Sequence, residues 1–250
     1  MNRAIERPIL HCSGMGSKIV SVDGPQLPPA GNPRELGYSG PMTRNTRQRI
    51  LVTSLHLFNE NGVQRTTIND IADELDISPG NLHYHFHRKS DIVDALLAEF
   101  RADARTVLHP PDAHMLSLDD FWLFLHLLLE LTAAYRFMLR DTEALAGDYP
   151  TAGRVMRHFA RGLDANFQLY LRGLARQDVL LLDSGEAAGL SRNLAVIALL
   201  SERFDELIGD RRDADDASLH VARSIIGAVR PFATADAAAE LDNLATHYAE

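Results

Sequence analysis

Three histidines stand at alternate positions, His83, His85 and His87, within the stretch SPGNLHYHFHRKSD that runs over 78–91. Imidazole is the commonest metal-ligating side chain, so the first chemistry to weigh is metal binding. In a strand, alternate residues share one face and the three rings could converge on one ion. In a helix, residues two apart point about 200° apart, while residues four apart are neighbours. There, only His83 and His87 could meet, and only if the helix continued that far. No cysteine or carboxylate stands at a companion spacing. The element that carries the tract therefore decides its chemistry.

Everything around the tract reads as helix. Ser78 is placed to cap the N-terminus of a helix over 79–86, with Pro79 in its first turn, where a missing N–H costs little. Upstream, Thr67 and Asp70 have capping-box spacing ahead of a short helix over 68–75 that buries Ile68, Ile71, Ala72 and Leu75. Between the two lies the three-residue break Asp76-Ile77-Ser78. An amphipathic helix precedes them from Thr43, with Ile50, Leu51, Ser54, Leu55 and Phe58 at three- and four-residue spacing. It ends at Asn61-Gly62 and carries Arg44, Arg47 and Arg49 in its first turns. Ser90 is expected to cap a fourth helix bearing Ile92, Val93, Leu96, Leu97 and Phe100.

Two short helices joined by a tight break form a helix–turn–helix pattern. The first braces the second, whose N-terminal half must enter the DNA major groove with polar side chains at the base edges. Leu82 and Phe86, four apart, pack such a helix inward, leaving Asn81, His83, Tyr84 and His85 outward. Gly80 permits close backbone approach.

Residues 43–100 resemble the DNA-binding domain of the TetR family of one-component bacterial transcriptional regulators. The resemblance rests on the Leu55/Phe58 helix ending at Gly62, on Thr66-Thr67-Ile68-Asn69-Asp70-Ile71-Ala72, and on Ile77-Ser78-Pro79-Gly80-Asn81-Leu82 followed by Phe86 and Lys89. It implies that Thr67 bonds a phosphate, Asn69 faces the groove, and Pro79, Gly80 and Asn81 lie at the base edges. His83 takes the place of a phosphate-contacting tyrosine, and Lys89 grips the DNA backbone. Arg44, Arg47, Tyr84 and His85 complete the expected contact set. Asp76 stands where the family usually has glycine, and it must tolerate a left-handed turn. Protonation of His83 in the ordinary histidine range predicts DNA affinity that rises as pH falls.

Composition sets the bounds. The 250 residues are 46% hydrophobic, enough for one large or two smaller cores. The longest uncharged apolar run, 121–129, is far short of the roughly 18 residues of a membrane span. The single cysteine, Cys12, and the lack of a compact apolar leader fit a cytoplasmic protein. The net charge of −9 argues against nucleic acid only as a whole: residues 1–90 carry 10 Lys+Arg against 8 Asp+Glu, and residues 91–250 carry 15 against 26. Phosphate binding depends on the local field.

The fold class expected is all-α, with about nine helices: a helix–turn–helix domain over 43–100 and a helical ligand-binding and dimerisation domain over 101–250. Residues 1–42, rich in proline and glycine, read as a disordered extension. In the second domain one helix is expected to start at Ser117 or Leu118 and reach Asp141, followed by a long one with Met156, Phe159, Leu163, Phe167, Tyr170 and Leu174 as its stripe. Further helices are expected over 186–208, 215–229 and 233–248.

Within 121–131 the run FWLFLHLLLEL is apolar nearly all round, which marks a buried helix. The resemblance implies an effector cavity and a dimer interface in this domain. Phe121, Trp122, Leu125, Leu129 and Tyr135 could line the cavity, with His126 and Glu130 as polar handles. The alternative is plain core, with His126 and Glu130 satisfying each other. Leu190, Leu194, Ile197, Leu200, Phe204, Leu207, Val221, Ile225 and Val229 are the interface candidates, two helices per chain making a four-helix bundle. Arg154, Arg157 and Arg161 form a stripe that could hold an acyl-CoA phosphate or a carboxylate, but a charged stripe of this kind reads as a solvated face.

The function expected is a homodimeric repressor that binds palindromic operator DNA in the major groove and is released by a small apolar effector, with no cofactor, no metal and no membrane. A metal-sensing regulator is the alternative. An all-helical enzyme is a weaker one, because the sequence carries no G-x-S-x-G, H-E-x-x-H or glycine-rich phosphate loop.

Overall fold

The computed structural model describes residues 41–109, 116–140, 142–210, 212 and 214–246. The extension expected over 1–42 lies outside them except for its last two residues, which open the first helix. Helix α1 is Pro41–Asn61, α2 Ile68–Glu74, α3 Pro79–His85 and α4 Lys89–Val107. The second part comprises α5 Leu118–Ala134, α6 Arg136–Arg140, α7 Thr142–Asp148, α8 Pro150–Ala175, α9 Ser184–Ile208, α10 Ala214–Val229 and α11 Ala235–Thr246, with a 3-10 turn at Arg230–Phe232. The described residues are all-α; their one bridge joins Leu180 to Ala233.

Local chemistry explains most of the boundaries. Gly62, at φ 83°, ends α1 in the left-handed region that favours glycine. Thr67 and Asp70 close a reciprocal capping box on α2: Asp70 N donates to Thr67 Oγ1 at 3.1 Å and Thr67 N to Asp70 Oδ2 at 2.7 Å. Ser78 Oγ accepts from Asn81 N at 3.2 Å and opens α3. Helix α4 starts one residue before the expected Ser90 cap. Arg88 is its N-cap, and the Arg88 N–H donates to the Asp91 carboxylate at 2.9 Å.

Among the described residues the count rises from about nine helices to eleven: the single helix expected up to Asp141 is broken into α5 and α6, and α7 forms in a stretch expected to hold no helix. Asn59 of α1 causes the break. Its side-chain amide donates to the Ala134 carbonyl at 2.9 Å and accepts from the Phe137 N–H at 3.0 Å. Backbone groups that would continue the helix are thus satisfied by a side chain from α1, and Tyr135 leaves helical geometry at φ −114°, ψ 36°. The Tyr135 hydroxyl donates to Asp103 Oδ2 of α4 at 2.7 Å, fixing the bend from a second side.

One continuous core runs through both parts. In the first, Ile50, Leu51, Phe58, Ile71, Ala72, Leu82, Phe86, Ile92, Val93 and Leu96 are buried. Phe100 carries the packing across, edge-to-face on both Tyr135 and Phe159, with ring centroids 5.2 and 5.0 Å apart. Every member of the expected α8 stripe is buried, and Phe124 stacks on Tyr170 at 4.9 Å.

Candidate nucleic-acid interface

Helix α3 rests on Leu82 and Phe86, both within the core. With that face fixed, Pro79, Gly80, Asn81, His83 and Tyr84 are turned to solvent, and Tyr84 is 72% exposed. His85 is half-buried, edge-on to Tyr84 with ring centroids 5.2 Å apart. Thr67 and Asn69, on the first turn of α2, are exposed. The Arg47 guanidinium lies over the Phe86 ring, 4.8 Å from its centroid, which holds a cation from α1 beside the end of α3. Arg44 falls in α1, and its side chain lies outside the described residues.

Lys89 is braced rather than free. Its ammonium donates to the carbonyls of Val63 at 2.8 Å and Thr66 at 3.0 Å, tying the start of α4 to the loop before α2. Burial pushes this lysine below its ordinary pKa, against the pull of Asp148 and Asp70. One of its three N–H groups is left for an outside partner. Asp70 is held below the ordinary carboxylate range by hydrogen bonds from the Thr67 backbone and then the Thr67 side chain, with Lys89 adding to them. Asp76 takes φ 51°, the left-handed turn expected of it.

The histidine tract is split by the end of α3. Phe86, at φ −141° and ψ 110°, is extended, so His83 and His87 are not one turn apart on a helix. His83 Nδ1 lies 3.2 Å from the His87 carbonyl oxygen, and both residues are exposed. Among the described residues no three His, Cys, Asp or Glu side chains are grouped to hold a metal.

In the second domain Phe121, Leu125, Leu129 and Tyr135 are packed into the core, Phe121 lying 6.0 Å from Tyr170 ring to ring. His126 and Glu130 pair with each other at 3.3 Å, with side chains 44% and 49% exposed, and Trp122 stacks on His126. The seven residues expected to line one cavity are therefore divided between core and surface. The interface candidates divide in the same way. Leu190, Leu194, Val221, Ile225 and Val229 are buried within their own chain, and Ile197 is half-buried. Leu200, Phe204 and Leu207 are exposed, and the structure adds Val196 and Ile208 beside them. Sequence reading merged two faces of α9; the 196–200–204–207 spacing was there to be separated. Arg154, Arg157 and Arg161 lie on the solvent face of α8.

A family model described as "Bacterial regulatory proteins, tetR family" matches residues 50–96, and one described as "Bacterial transcriptional repressor" matches residues 99–241, more than half of the chain. The chain belongs to the TetR family. A TetR-family transcriptional regulator from Marinobacter aquaeolei VT8 is similar over 81% of this chain and 98% of its own, with a TM-score of 0.72 and 26% identity. The SmeT–triclosan complex shares the fold, with a TM-score of 0.54 over 77% of this chain and 94% of its own at 17% identity. The transcriptional repressor KstR2 of Rhodococcus jostii (strain RHA1) is 40% identical over 57 residues, 23% of this chain and 28% of the relative. The match thus spans about a quarter of the length of such curated relatives.

Proposed function

We propose that this protein is a homodimeric, sequence-specific DNA-binding repressor released by a small-molecule effector. The observation that carries the reading is the solvent-facing row Pro79, Gly80, Asn81, His83 and Tyr84 on a short helix braced by α2, α1 and α4. A helix so held presents its N-terminal half to a major groove. Thr67, Arg47, His83 and the remaining N–H of Lys89 surround it as phosphate contacts, which set register, while Asn81 reads a base edge. Asn69 faces the groove from α2, and His85 supports Tyr84 from behind.

One such helix reads only a few base pairs, so useful affinity needs two half-sites and a twofold protein. The apolar stripe Val196, Leu200, Phe204 and Leu207 on α9 is the face that a second copy covers, with α10 alongside. Effector release follows from the Asn59 junction. An apolar effector would have to part the packed side chains of Phe121, Leu125, Leu129 and Tyr135 on α5. Any such shift moves the Ala134–Phe137 bend, and Asn59 hands it to α1. Ligand and DNA then favour different arrangements of the same two domains. That SmeT holds triclosan supports an apolar ligand in a protein of this fold.

An enzymatic reading has less support. Its support would have to come from a nucleophile–base pair or a metal constellation, and among the described residues no three His, Cys, Asp or Glu side chains are grouped to hold a metal. The test is selection from sheared genomic DNA followed by gel shift. The expected outcome is enrichment of a twofold-symmetric site near the protein's own gene, and an Asn81 substitution that alters sequence preference. Failure to discriminate any genomic fragment from random DNA, at any salt concentration, sinks the regulator reading.

A further inference from the structure

A groove of about 410 Å³ runs between the end of α1 with its following loop and the facing parts of α6, α9 and the approach to α10. Its walls are charged, unlike the apolar core beneath α5. Much of that charge is matched within the protein. Arg136 is held by the Glu202 carboxylate and also donates to the Arg212 carbonyl at 3.3 Å. The Arg212 guanidinium in turn binds Asp205 and, at 2.6 Å, Asp210.

Four charges are left over in the same groove: Arg65 and Arg140 of one sign, Glu60 and Glu206 of the other. Among the described residues, none of the four has an oppositely charged partner. Arg140 donates to the Asn59 carbonyl at 3.1 Å, which satisfies one N–H and none of its charge. An anion would suit the two arginines and be repelled by the glutamates; a cation would meet the reverse. A ligand carrying both charges meets both pairs, because guanidinium forks fit a carboxylate and carboxylates accept from an ammonium.

We propose that this groove binds a free α-amino acid or a zwitterion of similar size. Its volume falls in the roughly 300–1,000 Å³ range of small-molecule sites. The ion pairs in its walls hold the lining in place before the ligand arrives, which lowers the ordering cost of binding. Glu60 and Arg65 belong to the DNA-reading part, whereas Arg140 and Glu206 belong to the other. A zwitterion clamped among them ties the two parts together at a place separate from the α5 core.

The experiment uses the full chain and needs no DNA, so its failure leaves the regulator reading untouched. Each common amino acid is added to the protein at millimolar concentration in thermal-shift assays, and hits are titrated by calorimetry. Propylamine and propionate, which offer one charge each, serve as controls. At least one amino acid is expected to bind saturably, with neither control binding. Arg65→Ala and Glu206→Gln should each weaken binding at least tenfold while the unliganded melting temperature stays the same, since neither side chain belongs to the core. The proposal is overturned if no amino acid binds, if a single-charge control binds as tightly, or if both variants bind like the wild type.

Discussion

At the level of single residues, Gly80 separates fold from function most cleanly. A methyl group added there would meet only the Ser78 hydroxyl, at 3.9 Å, so the free protein has room for alanine. Replacing glycine inside a helix gains about 0.5–1 kcal/mol in stability. Gly80→Ala is therefore expected to melt no lower than the wild type yet bind operator DNA at least tenfold more weakly, because the methyl stands between backbone and bases. Equal affinity in gel shifts would remove Gly80 from the contact surface. Lys89→Ala should act differently. Losing the two charge-assisted bonds to the Val63 and Thr66 carbonyls costs about 2–3 kcal/mol of stability. If its third N–H reaches a phosphate, the slope of log affinity against log salt also falls by about one. A lower melting point with an unchanged slope would confine Lys89 to bracing. Its residue type and position suggested a phosphate grip; the carbonyl partners, 26 and 23 residues away, could not be read from spacing.

At the level of elements, the caps of α2 and α3 were legible, while the cap of α4, which is Arg88 and not Ser90, and the interruption after α5 were not. Thr67 with Asp70, Ser78 with Pro79, and the strained Asp76 are local patterns, and each stands where its spacing put it. The capping box on α2 has a measurable pH signature. Because Asp70 titrates lower in the folded chain than in the unfolded one, where aspartate has a pKa of about 3.9, the folded state favours its ionised form. The resulting stabilisation is complete above that range and is lost as pH falls through the lowered value. Melting temperatures of wild type and Asp70→Asn should therefore differ at neutral pH and converge on strong acidification. A gap that persists in acid would assign the effect to something other than the carboxylate. Thr67→Ala, which removes the other half of the box, should cost about 1 kcal/mol at neutral pH. The break between α5 and α6 left no such local mark. It depends on Asn59, which is 75 residues from its partner Ala134.

For the whole molecule, the decisive surface is the one that its own core does not cover. Leu200, Phe204 and Leu207 are 50%, 60% and 82% exposed on α9, an arrangement that costs solubility unless another surface covers it. Phe204→Glu is expected to convert a dimer into a monomer by sedimentation and to abolish operator binding, while the circular dichroism spectrum is kept. A variant that remains dimeric would move the interface elsewhere. Sequence periodicity put Leu190, Leu194, Ile197, Leu200, Phe204 and Leu207 on one apolar face of α9, since stripes for core and for a partner look alike; burial separates Leu190 and Leu194 from the exposed Leu200, Phe204 and Leu207. The Asn59 junction carries a further consequence for protein engineering. The bend between α5 and α6 is maintained by an amide from α1, so neither half of the chain holds its full instructions. Chimaeras that graft this sensor onto another operator specificity should be cut before Asn59 or carry an asparagine at its place. Cut elsewhere, the segment 118–140 is free to run on as one straight helix, and the hybrid would recognise its operator while ignoring its signal.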